Sequence, residues 1–156
     1  MLSISLAVMA ELTAKKDNIT ATTIRNMSFG AFFNIGAGGT ITISADGSRS
    51  VSGDILYANL MPYSPVIFEI EGPVNTYVYI QNGPDVNLKA GKKGGTVTLH
   101  LENATPESPF ILKNASSGSN TAIQQVSMGG TLIIKDANNS PAGNYSGTFS
   151  ITFIQQ

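Results

Sequence analysis

The chain has 156 residues, no cysteine and a formal net charge of −1. Charged residues make up 12%, about half of the roughly 25% of ordinary soluble domains, so Ser, Thr, Asn and Gly carry the polar surface. These figures exclude disulfides, a thiol nucleophile and a zinc–thiolate site. Basic clusters are limited to Lys15–Lys16 and Lys92–Lys93, which argues against nucleic acid as a partner.

The first dozen residues alternate. Leu2, Ile4, Leu6, Val8, Ala10 and Leu12 are apolar, with Ser3, Ser5, Ala7, Met9 and Glu11 between them. Strand side chains point alternately to opposite faces, so this segment reads as one strand with an apolar face. Three destinations stay open for it: the chain's own sheet, the sheet of a neighbouring molecule, or the tail of a signal peptide. Against the last, it lacks a basic leading region, and Ser3 and Ser5 interrupt its apolar run.

Further strands are expected at Ile19–Met27, Thr40–Ser44 with a turn at Asp46–Gly47, and Ser50–Ser52. Others follow at Val66–Ile70, Thr76–Ile80, Thr96–Leu101 and Thr131–Ile134. Tyr145–Phe153 closes the series with strict alternation that sets Tyr145, Gly147, Phe149, Ile151 and Phe153 on one face, read as inward. Gly36–Gly39, Gly94–Gly95, Ser116–Ser119 and Gly129–Gly130 read as turns between them. No helical periodicity and no linker appears, so the expectation is one all-β domain, a sandwich or barrel.

Catalytic groups are sparse. His100 is the only histidine; it shares parity with Thr96 and Thr98 and is expected to face solvent. No nucleophile elbow is present, Asp46 and Asp136 read as turn residues, and no EF-hand spacing occurs. The expectation is a protein that is not an enzyme and carries no cofactor or metal. Tyr57, Tyr63, Tyr77 and Tyr79 are candidates for an aromatic platform that binds glycan, with core packing as the plainer alternative for them.

The order of Met27–Gly30, Gly38–Ser44, Asp46–Arg49, Val51–Gly53, Val66–Gly72, Gly129–Leu132 and Gly143–Phe153 resembles a secreted bacterial family catalogued as a domain of unknown function. That family is similar in turn to chaperone–usher pilins and spore-coat-like fimbrial subunits. The resemblance implies an incomplete immunoglobulin-like β-sandwich completed by an N-terminal donor strand from a neighbouring subunit. It implies a donor at Leu2, Ile4, Leu6, Val8, Ala10 and Leu12, on an extension spanning 1–14. It implies an acceptor groove bounded by Tyr145, Gly147, Phe149, Ile151 and Phe153, in a domain spanning 15–156. The partners would be further copies of the chain, head to tail, with an assembly chaperone, an outer-membrane usher and a host or surface glycan as others. The localisation would be the bacterial cell surface. Two departures stand out: the chain has Phe153–Ile154 where pilins often end in Tyr, and the disulfide of many pilins is absent. The alternative function is a self-complete monomeric sandwich that binds glycan or a surface protein through its loops.

Overall fold

A computed structural model describes residues 4–15, 18–91, 94–113 and 118–156; Leu2 lies outside them, and of the side chains in the first strand Ala10 is described. In chain order the strands are β1 (Ile4–Lys15), β2 (Thr20–Arg25), β3 (Met27–Ile43), β4 (Arg49–Ala58), β5 (Val66–Pro73) and β6 (Tyr77–Asn82). There follow β7 (Val86–Lys89), β8 (Thr96–Thr105), β9 (Phe110–Ile111), β10 (Thr121–Ile134) and β11 (Asn144–Gln155). The all-β fold expected from the alternation is the fold observed, and it is consistent with the β-sandwich that the resemblance implies.

Hydrogen bonding follows the order β2-β5-β10-β8-β7-β11-β1-β3-β4, with β6 beside β11 and β9, and a further pairing of β10 with β3. Two long strands hold the layers together by changing partners along their length. Residues 121–128 of β10 pair with β5, and residues 130–134 pair with β3. The start of β3 pairs with β1 and its end with β10. Between the layers Phe29, Phe32, Phe68, Phe149 and Phe153 are fully buried, and removal of such rings from water drives the closure.

Three expectations are corrected. Gly129–Gly130, read as a turn, lies inside β10. A Cβ on Gly129 would collide with the Ile43 carbonyl oxygen, and one on Gly130 would meet Met27 Sδ at 2.9 Å. The missing side chains let β10 and β3 approach where β10 leaves β5. Gly36–Gly39 likewise lies within β3, as a bulge in its pairing with β4. Asn34 organises that bulge: its Oδ1 accepts from the amides of Gly36 and Gly38, and its Nδ2 donates to the Lys135 carbonyl at 2.8 Å. Finally, the strand read as 19–27 stops at Arg25, because β2 pairs with β5 whereas Met27 already pairs with β1.

The turns expected at Asp46 and Asp136 are present, whereas the turn expected at Ser116–Ser119 lies partly outside the described residues. Asp46 Oδ1 accepts from the Ser48 amide and hydroxyl at 2.8 and 2.7 Å, which lowers the Asp46 pKa. The Asp136 carboxylate accepts from Asn138 and Asn139 and is lowered by Asn139 foremost. Both are local side-chain-to-backbone motifs of the kind that close turns.

Candidate strand-exchange site

Strand β1 lies in a slot between β11 and β3. Against β11 it runs parallel, with Leu6 opposite Tyr145, Val8 opposite Gly147, Ala10 opposite Phe149 and Leu12 opposite Ile151. Against β3 it runs antiparallel, with Ile4 opposite Phe32, Leu6 opposite Gly30 and Val8 opposite Met27, and a bulge between Leu6 and Ala7. Every other ladder among the described residues is antiparallel. Within the single chain, then, the alternating N-terminal segment is placed in its own sheet. The even-numbered positions of β1 share register with the buried positions of β11, and Ala10 itself is half-buried against the core.

The wall that β11 offers is built by its period of two. Tyr145, Phe149, Ile151 and Phe153 are each no more than 1% exposed. Phe153 stands edge-on to Phe68, with ring centroids 5.4 Å apart and planes at 74°, a favoured aromatic geometry. A Cβ on Gly147 would collide with Leu88 Cδ2, so the glycine is what lets Leu88 of β7 seat against β11. Tyr145 seals one end: its hydroxyl donates to the Pro141 carbonyl at 2.6 Å, and burial raises its pKa.

The opposite wall is braced from outside. The Arg49 guanidinium lies 4.2 Å from the ring centre of Tyr57 and 4.0 Å from that of Tyr63. Its Nη1 donates to the Phe29 carbonyl at 3.2 Å, and the Tyr57 hydroxyl donates to the Arg49 carbonyl at 2.6 Å. Ser28 and Ser64 exchange two backbone hydrogen bonds beside it. This clasp holds the stretch of β3 where its register with β1 shifts, at Phe29. Arg49→Ala should therefore lower stability by about 1–2 kcal/mol, the sum of two partly exposed cation–π contacts; urea unfolding of the variant checks this.

The four candidate tyrosines do not assemble into one platform. Tyr57 and Tyr63 join through Arg49, whereas Tyr77 and Tyr79 are exposed on β6, which pairs with β11 and β9 and not with β4. His100 is exposed, and its Nδ1 lies 2.7 Å from Asp85 Oδ1. The hydrogen bond to Asp85 is the largest influence raising its pKa above the ordinary 6.5. The pair's contribution to stability is complete below 6.5 and fades as pH rises through the raised folded-state value. Both side chains are about half exposed, at 54% and 53%, so solvent screening keeps that contribution small. In His100→Gln, urea midpoints across the neutral range should lose this slight decline. Among the described residues no three His, Asp or Glu side chains gather as a metal ion would require.

The architecture defines a class: an all-β sandwich whose first strand fills a slot between its last strand and β3. Residues 19–154 match the family model described as a domain of unknown function, DUF4402, and the chain belongs to that family. The matched span begins beyond the end of β1. No curated protein matches the chain.

Proposed function

We propose that this protein is the structural subunit of an extracellular filament, a pilus or fimbria, and that it polymerises by strand exchange. The observation that carries the proposal is the slot. One strand, outside the family match, pairs with β11 over residues 5–15 and with β3 over residues 4–8, and so stands between them over its first half. The β1 of a neighbouring copy offers the same sequence to the same slot, so exchange replaces one set of contacts with an identical set. The slot of one copy would be filled by the arm of the next, a heterologous arrangement that grows open filaments unless it closes into a ring. Strand addition of this kind uses main-chain hydrogen bonds for affinity and alternate side chains for specificity. An assembly chaperone would protect the slot before exchange, and an outer-membrane usher would be the place of assembly. The charge-poor Ser/Thr/Asn surface supports a location at the cell surface.

Negative-stain microscopy of the concentrated protein, with gels run with and without boiling, tests the proposal. Thin filaments and a ladder lost on boiling are expected. A monomer under all conditions, including after unfolding and refolding at high concentration, would place β1 permanently in its own sheet and overturn it.

A further inference from the structure

Strands β6 and β7 follow one another along a single edge of β11: residues 78–82 pair with 155–151, and Lys89 pairs with Ser146. Strand β8 accompanies β7 over residues 96–99 and then parts from that line. Beyond the fork, residues 100–105 of β8 are hydrogen-bonded on the β10 side, and no ladder joins them to β6. The Asp85–His100 hydrogen bond stands at the fork. Past it the two strands enclose a cleft of about 500 Å³.

We infer that this cleft binds a small neutral polyol with the size and chemistry of a mono- or disaccharide. Its polar lining is Gln81, Asn82, Asn103, Glu107 and Ser108, over an apolar floor that includes the buried Met128 and Ala104. A sugar hydroxyl both donates and accepts, and a carboxamide does the same in a fixed plane. A carboxylate such as Glu107 accepts from two adjacent hydroxyls at once, and such charge-assisted bonds are the stronger ones. The apolar floor suits the C–H face of a pyranose. No Lys or Arg lines the cleft, so nothing there favours a phosphate or another anion. One carboxylate without His does not make a metal site. The volume falls within the range of small-molecule sites.

An extended peptide adding to β6 would need its free backbone edge. On β6 that edge is already used: β9 pairs with Tyr77 and Val78, and Ser108 Oγ accepts from the Ile80 amide at 2.8 Å. What remains of the β6 edge is too short for a ladder, whereas the amide side chains are available. Asn82 Nδ2 reaches the Glu102 carbonyl at 3.4 Å, a weak contact that a ligand oxygen can displace.

The site is independent of strand exchange. It is tested by titrating the 15N-labelled full chain with glucose, galactose, mannose, N-acetylglucosamine, lactose and cellobiose. At least one should give saturable shifts of the side-chain NH2 signals of Gln81, Asn82 and Asn103, with a dissociation constant in the millimolar range. Asn103→Ala and Glu107→Gln, both at exposed positions, should each weaken binding roughly tenfold, the loss of one hydrogen bond with charged or well-placed partners. Three outcomes overturn the inference: no shift with any of the six sugars, shifts centred on Tyr57 and Tyr63, or binding indifferent to both variants.

Discussion

Deleting residues 1–13 is expected to abolish filaments and the boiling-sensitive ladder, and to leave a soluble but markedly less stable domain. The deletion removes most of β1 and leaves β11 and the first part of β3 without a partner on the facing edges. Tyr145, Phe149, Ile151 and Phe153 would lose the strand that lies in register beside them. Unpaired strand edges and an opened apolar floor are both sources of instability. A synthetic peptide of residues 1–15 added in trans should raise the melting temperature of the truncated domain in a saturable way, because a ligand that binds only the folded state stabilises it by mass action. The same peptide with Ala10→Asp should fail, since Ala10 packs against the core and an unpaired carboxylate there is costly. Ordinary filaments from the truncated chain would sink the exchange mechanism.

Phe153→Ala should be the most destabilising single substitution in the slot wall, by about 3–5 kcal/mol. The ring has no exposed surface and meets Phe68 edge-on. Its neighbours belong to two paired strands, with Ala14 on one side and Ile80 on the other, so they are poorly placed to collapse into the space. For a chain of this length the expected fall in melting temperature is roughly 6–20 °C. Ile154→Ala, at the neighbouring half-buried position, provides the comparison and should cost much less. Equal losses at the two positions would show that β11 does not present one face to the core.

The long alternating strands were legible because one face of each is buried while the other meets solvent. In β8, Val97, Leu99 and Leu101 are buried and His100 between them is exposed, and the residue types say as much. β7 and β9 were missed because they are short, with Gly83–Pro84 before the one and Ser108–Pro109 before the other, and such flanks ordinarily mark loops. The glycines of β3 and β10 misled for a physical reason: the residue that permits a turn also permits close backbone approach, and sequence does not separate the two. The partner of β1 was not legible either, because alternation encodes a face and leaves open whose sheet receives it. The Arg49 clasp brings together residues 8 and 14 positions apart, a spacing that no local periodicity predicts. The cleft was invisible because Gln81, Asn82, Asn103 and Glu107 are the usual residues of solvated strand ends and loops. They matter only where two strands part.

The pairing of β1 with β11 joins the beginning of the chain to its end, Ser5 to Asn144. On the ribosome β1 is made before β3, which soon follows to cover one edge of its residues 4–8. The other edge waits until β11 has been made, on the order of ten seconds later at typical rates of synthesis. Throughout that interval a nascent chain carries an alternating strand with one open flank and no resident partner for it. Crowded polysomes would bring such flanks together before any chain could close on itself. The order in which the strands are made therefore leaves the β11-facing edge of β1 to be satisfied last, and timing becomes part of how the slot is filled.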